Sequence, residues 1–298
     1  MDTILSTTSD PRSAGAQPPF KKQKQIEPPG LTSQMEPRPD HGEDSYQGNG
    51  LLKGYASVIT GADSGIGRAV ALAFAREGAD VVISYLNEEE EDAVETRRLV
   101  IEAGCKALLI PGDICSEEHC EKIIAQCLTE FGKIDVLVNN AAFQTTHSEV
   151  EEISTEEFDR AFKTNVYATF FLSRAALRHM KPGAAIINTT SIQGFDPTGQ
   201  LLHYAATKAA IANMTRTLAE LAGEKGVRVN GVAPGPVWTP LIPSTMPPEK
   251  VKQFGQDSFF KRPAQPAEMA PIYVFLASRL ASYVTGEIYG ATGGRMPV

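Results

Sequence analysis

From residue 51 onward, short apolar runs alternate with stretches whose apolar positions recur every three to four residues. Seven runs read as strands, at 56–60, 80–85, 106–111, 136–140, 184–190, 227–233 and 287–290. Most are apolar throughout rather than alternating, which suits strands covered on both faces of a parallel sheet. Between them, helical spacing covers 66–77, 89–103, 117–131, 155–180, 204–224 and 267–277. This strand–helix order predicts an α/β fold, a doubly wound sheet of seven parallel strands in one domain, 51–298. Residues 234–266, rich in Pro and aromatics, form the longest irregular piece, and such a loop commonly covers the site of a fold like this. Residues 1–50 hold seven of the twenty prolines and only scattered apolar residues. That spacing admits no helix or strand and predicts an extended arm, disordered when alone.

Composition narrows the function. Apolar content of 42% is ordinary for a globular domain, and a net charge of −8 argues against nucleic acid as a partner. No apolar run approaches the roughly 18 residues of a membrane span. The basic stretch 21–25 is followed by no apolar core of a secretory signal, so a cytoplasmic location is expected by default. Cys105, Cys115, Cys120 and Cys127 lack the spacing of a zinc or redox motif. They read as small apolar residues in a reducing compartment, with no metal site despite His119 beside Cys120.

The chemistry-bearing residues gather in three places. Tyr204 and Lys208 are four apart on one predicted helix, so the ammonium and the phenol share a face. Phenol has a pKa near 10, and bringing it to about 7 takes roughly 4 kcal/mol of preferential stabilisation of the phenolate. A nearby Lys together with a cationic nicotinamide ring would supply that. Ser191, thirteen residues before the Tyr at the end of an apolar run, would hold a carbonyl or alcohol oxygen. The turn Gly61-Ala62-Asp63-Ser64-Gly65-Ile66-Gly67 joins the first strand to the first helix. Its glycines allow backbone to approach a pyrophosphate at the helix N-terminus. Its spacing, G-x-x-x-G-x-G, differs from the standard dinucleotide fingerprint.

Three further positions carry less specific signals. The second strand ends at Tyr85 with neither an acid to hold a ribose 2′-hydroxyl nor an Arg to bind a 2′-phosphate. The missing acid tilts the expectation toward NADP(H) over NAD(H). Asp113, after the third strand, reads equally as an adenine contact and as a helix cap or turn Asp. Asn139-Asn140-Ala141 ends the fourth strand, and Asn165 sits among apolar neighbours within a helix that Asn disfavours. A turn-forming role and a satisfied core Asn are the plain alternatives.

Taken together, TGADSGIG, NNAA and the set Asn165, Ser191, Tyr204 and Lys208 closely resemble the short-chain dehydrogenase/reductase family, over residues 51–298. The Pro-rich arm is further similar to a bacterial subgroup of general-stress-protein and aldehyde-reductase-like oxidoreductases. The resemblance implies a Rossmann-type domain, bound NADP or NAD, and a homotetramer. It implies Tyr204 as general acid/base, Lys208 lowering its pKa and binding ribose, Ser191 polarising the substrate oxygen and Asn165 holding a relay water. Cofactor contacts would fall to Gly61, Asp63, Ser64, Gly65, Ile66, Gly67, Tyr85, Asp113, Ile114, Asn140, Ala141 and Thr189. Tyr204, Lys208, Pro234, Gly235, Val237 and Thr239 would complete that set.

The expected activity is hydride transfer between a nicotinamide and a small carbonyl or alcohol, foremost as an aldehyde or ketone reductase. A sugar or polyol dehydrogenase is the alternative. Trp238, Phe254, Phe259 and Phe260 would stack on either substrate and do not discriminate. A catalytically silent nucleotide-binding regulator is a remote alternative, disfavoured by the complete set of four.

Overall fold

In β1 (Ala56–Thr60) successive side chains enter opposite cores, Val58 on one face of the sheet and Ile59 on the other. The same alternation repeats in β2 (Asp80–Tyr85), where Val81 and Ile83 join Ile59 and Val82 joins Val58. Both faces are therefore apolar, as the uninterrupted runs predict. A computed structural model of the protein describes residues 10–21 and 25–295. The remaining strands are β3 (Ala107–Pro111), β4 (Val136–Asn139), β5 (Ala185–Thr189), β6 (Arg228–Pro234) and β7 (Ile288–Ala291). All pairings are parallel, in the order β3-β2-β1-β4-β5-β6-β7. The order reverses between β1 and β4, and in open sheets of this kind ligands bind beyond the carboxyl ends of the strands at that point.

One face is covered by α1 (Gly65–Arg76) and α2 (Glu90–Glu102). The other carries α3 (Glu117–Phe131), α4 (Thr155–Phe162) and α5 (Ala168–Leu177), then α6 (Leu202–Gly223). The helix predicted over 155–180 is interrupted. Lys163–Tyr167 forms a π-helical turn, which widens the backbone around Asn165. The irregular stretch 234–266 contains two short helices, α7 (Leu241–Thr245) and α8 (Pro248–Lys252). A last helix, α9 (Pro266–Ala277), packs on the α1 side.

The described part of the arm lies against its own domain. Phe20 and Met35 are buried with Trp238, Ile242 and Val251 in a third apolar cluster. Glu77, at the end of α1, accepts from the Tyr46 hydroxyl at 2.6 Å and from the Asn49 and Leu51 N–H groups at 2.8 Å. Among the described residues, no helix is long and apolar enough to cross a membrane.

Candidate active site

The first strand–helix turn is built by close approach. Gly61 and Gly65 take positive φ, 60° and 50°. A Cβ on Gly67 would lie 1.8 Å from the Gly61 carbonyl oxygen, so only glycine lets α1 start this close to β1. No side chain caps α1. Its first-turn N–H groups point into the cleft as a ready site for an anion. Asn140 braces the turn from the next strand: its Nδ2 donates to the Thr60 and Gly61 carbonyls at 3.0 and 3.2 Å. Thr60 Oγ1 accepts from the N–H groups of Asn140 and Ala141. Asn139, by contrast, points into the core, donating to Asn188 Oδ1 at 2.8 Å.

Beneath the turn lies a buried polar knot. Arg68, fully buried on α1, donates to the Asp63 carbonyl at 2.8 Å and pairs with Asp92 Oδ1 at 2.7 Å. Burial pushes the Asp63 carboxyl up to about 6. Nothing in the sequence pattern marks Arg68, because an Arg on a helix ordinarily reads as solvated.

At the end of β2, Tyr85 lines the cleft while its ring packs on the core, and its hydroxyl donates to Glu90 Oε2 at 2.5 Å. Leu86, Asn87, Glu88 and Glu89 follow it along the cleft. Burial, with Asp63 nearby, raises the Glu89 carboxyl to about 8. Asp113 lines the cleft as well, beside Ile114, and both its oxygens have protein partners, Cys115 N at 2.9 Å and Arg160 Nη1 at 2.7 Å. The bond from Cys115 N makes Asp113 a turn residue, and the cap of α3 belongs to Ser116, whose Oγ accepts from His119 N.

The opposite end of the cleft holds Ser191, Tyr204 and Lys208. Ser191 leaves β5 into a short 3-10 turn, Ile192–Gly194, where its hydroxyl accepts from Gln193 N at 3.2 Å and lies beside the Tyr204 phenol. Gly194 makes this possible: a Cβ there would meet the Lys208 carbonyl carbon at 2.9 Å. Lys208, buried on α6, donates to the Thr189 carbonyl at 2.8 Å and lies 5.4 Å from the centre of the Tyr204 ring. In the protein alone, burial pushes the phenol up to about 12, the Ser191 hydroxyl acting the other way, and holds the ammonium down to about 7. The protein charges thus do not by themselves deliver the phenol near neutrality that the sequence suggests. Desolvation outweighs the Ser191 hydroxyl.

Asn165 is bound on every side-chain polar atom. Its Oδ1 accepts from Phe143 N at 2.7 Å, and its Nδ2 donates to Phe143 O at 3.0 Å and Thr207 Oγ1 at 2.9 Å. The side chain therefore fixes the loop after β4 against α6. Pro234, Gly235, Val237 and Thr239 line the cleft as anticipated. Gly235 is pressed against β7's exit, where a Cβ would lie 2.7 Å from Thr292 Cα. Trp238 does not reach the cleft. It is fully buried, stacked on Phe20 of the arm at 4.2 Å, so it is not available to a substrate. Phe254 does line the cleft, whereas Phe259 is exposed.

The whole cleft encloses 1280 Å³ and runs without a break from Asn87 to Ser191. Its Gly-rich floor, uncapped helix start and buried Tyr–Lys pair fit an extended dinucleotide, and define a nucleotide-binding oxidoreductase. Residues 61–295 match the family model described as Enoyl-(Acyl carrier protein) reductase. The chain is 47% identical over 280 residues to NADPH-dependent aldehyde reductase 1, chloroplastic, of Arabidopsis thaliana, covering 92% of this chain and 97% of that one. It is 46% identical over 280 residues to the glucose and ribitol dehydrogenase of Daucus carota, covering 92% and 96%. A short chain dehydrogenase from Burkholderia cenocepacia J2315 in complex with NADP superposes with a TM-score of 0.77 at 28% identity, over 82% of this chain and 99% of that one. The chain belongs to the short-chain dehydrogenase/reductase family of oxidoreductases.

Proposed function

We propose that the protein is an NADP(H)-dependent reductase of aldehydes or ketones, reversible as an alcohol dehydrogenase. The observation that carries this reading is the meeting of Ser191, the buried Tyr204 phenol and Lys208 at one end of the cleft, with Lys208 held 5.4 Å from the ring by Thr189. The nicotinamide nucleotide, when bound, gives or takes the hydride. The residues of this chain manage the oxygen and the proton. The Ser191 hydroxyl holds the carbonyl oxygen, and Tyr204 gives it the proton that turns the reduced carbon's oxygen into a hydroxyl. Lys208, fixed by Thr189, supplies positive charge beside the phenol. Asn165 keeps Phe143 and the loop after β4 in place.

The turn from Gly61 to Gly67, with Asn140 and Ala141, would hold the pyrophosphate, and Asp113 and Ile114 would flank the adenine. The relative named for NADPH and the neighbour solved with NADP support NADP(H) as the nucleotide. Tyr85, Asn87 and Glu89 are then the side chains nearest the 2′-phosphate. We place the catalytic domain at 51–298 with the arm at 1–50, and expect a cytoplasmic homotetramer.

The named sugar–alcohol relative keeps a second reading open, favoured by the polar residues Thr145, His147 and Gln193 along the substrate end. Purified protein tests both. NADPH consumption with a panel of aldehydes and ketones should exceed NADP+ reduction with polyols and sugars. Turnover with polyols alone would reverse the order, and turnover with neither class would overturn the reading.

A further inference from the structure

The arm reaches the cleft. Pro28 and Pro29 form part of its wall, in one continuous surface with Gly65 and Pro240. This segment is tied down on both lips. On the substrate side it is fixed to α7: Gln25 Nε2 donates to the Ser244 carbonyl at 3.1 Å, Ile26 N to the Pro243 carbonyl at 3.3 Å, and Ser244 Oγ to the Pro29 carbonyl at 3.3 Å. On the adenosine side it is fixed to α2. Thr32 N and Thr32 Oγ1 both donate to Asp92 Oδ2, at 2.8 and 3.0 Å. Asp92 is the carboxylate that pairs with Arg68 beneath the Gly-rich turn, and Thr32 is itself buried.

We infer that residues 25–32 of the arm are part of the nucleotide site, a strap that crosses its cleft and sets how fast the nucleotide leaves. The inference rests on the cofactor reading above. A Pro-Pro pair is suited to this place. It has no N–H groups to leave unpaired against a ligand, and its φ angles are fixed before binding. Both anchors must hold for the segment to stay over the cleft. One lies on α2, packed in the main core, and the other on α7, within the irregular stretch 234–266. Motion of α7 away from the Gly-rich turn therefore has to break the arm's contacts first. Loops of this kind gate release in many enzymes.

Gly30 gives a way to lift the strap without replacing a residue that lines the cleft. It has φ +84°, and a Cβ there would lie 3.0 Å from the Pro240 carbonyl oxygen and 3.1 Å from Ser244 Cβ. Gly30→Ala should pry the segment off α7. The measurement is NADPH dissociation by stopped-flow fluorescence, chasing the preformed complex with excess NADP+, alongside thermal unfolding of the nucleotide-free protein. The expected result is dissociation faster by about 10-fold, since changes at one interface fall mostly on the off-rate, with the melting temperature little changed. Because that variant carries backbone strain, Thr32→Val gives an independent arm at the α2 anchor, removing the hydroxyl that donates to Asp92 while keeping the shape of the side chain. It should also speed dissociation. Dissociation unchanged in either variant would overturn the strap and leave the cofactor reading standing. Failure of the unaltered full chain to bind NADPH would overturn the cofactor reading and the strap with it.

Discussion

Lys208 Nζ lies 5.4 Å from the centre of the Tyr204 ring and spends one of its protons on the Thr189 carbonyl at 2.8 Å. The i,i+4 spacing brings the two side chains together, but the carbonyl at the end of β5 decides where the ammonium sits. Tyr204→Phe keeps this arrangement and removes only the exchangeable proton. Its kcat should fall on the order of 100- to 10,000-fold, with NADPH affinity nearly unchanged. Steady-state rates and fluorescence titration measure the two; near-normal turnover would remove Tyr204 from the mechanism.

Lys208 should cost stability while serving function. Burial holds it down to about 7 from an ordinary 10.5, so charging it is harder in the folded protein than in the unfolded chain. Between those values the unfolded state binds the extra proton, and stability rises with pH. The penalty is full below about 7 and gone above 10.5. Lys208→Met should therefore flatten the rise in melting temperature over that window and melt no lower than the native protein at neutral pH. Turnover should be lost. A clear drop in melting temperature at neutral pH would mean that the Thr189 contact outweighs the buried charge.

The acidic end of the cleft should make nucleotide choice depend on pH. Glu89, raised to about 8 by burial and by Asp63, is neutral below that value and charged above it. A charge there repels a 2′-phosphate more than a 2′-hydroxyl. NADPH affinity should weaken between about pH 7 and about pH 9 by roughly 3- to 10-fold, and NADH affinity much less. Glu89→Gln should abolish the difference. Parallel pH dependences for both nucleotides would place Glu89 away from the phosphate.

The arm's hold on the domain can be read from the single tryptophan. Phe20 covers Trp238 in a stacked contact, and Trp238 Nε1 donates to the Pro37 carbonyl at 2.8 Å. Phe20→Ala should shift the emission to the red and cost about 3 kcal/mol, as for a buried aromatic truncated to Ala. Unchanged emission and denaturant midpoint would show that the arm is not seated there in solution.

The strand–helix alternation and the residues at strand ends were open to reading in the sequence. A strand buried on both faces is apolar at every position, and a turn that nears a phosphate requires glycine; both are local constraints. The break in the helix at Lys163–Tyr167 was not legible, because a π turn uses the same residues as an α-helix, and the Asn165 bond to Phe143 found there joins positions 22 apart. Tyr85 shows a similar limit. Its place at the end of β2 is a matter of pattern, but the bond of its hydroxyl to Glu90 and the packing of its ring on the core beside the cleft come from the tertiary structure.

The arm marks the same division most clearly. Proline content keeps long helices and strands out of the arm, whose described residues hold only the 3-10 turns Pro11–Ser13 and Thr32–Gln34, since missing N–H groups and restricted φ act within a few residues. It carries no information about what the arm lies against. Phe20 on Trp238, Thr32 on Asp92 and Tyr46 on Glu77 join positions 31 to 218 residues apart. No periodicity links such positions. The order of the elements and the chemistry at their ends were determined by the sequence itself. The buried Arg68–Asp92 pair, the upward pull on the Tyr204 phenol and the course of the arm across the cleft were decided by the tertiary structure. Desolvation and long-range packing exist only once the chain has closed on itself.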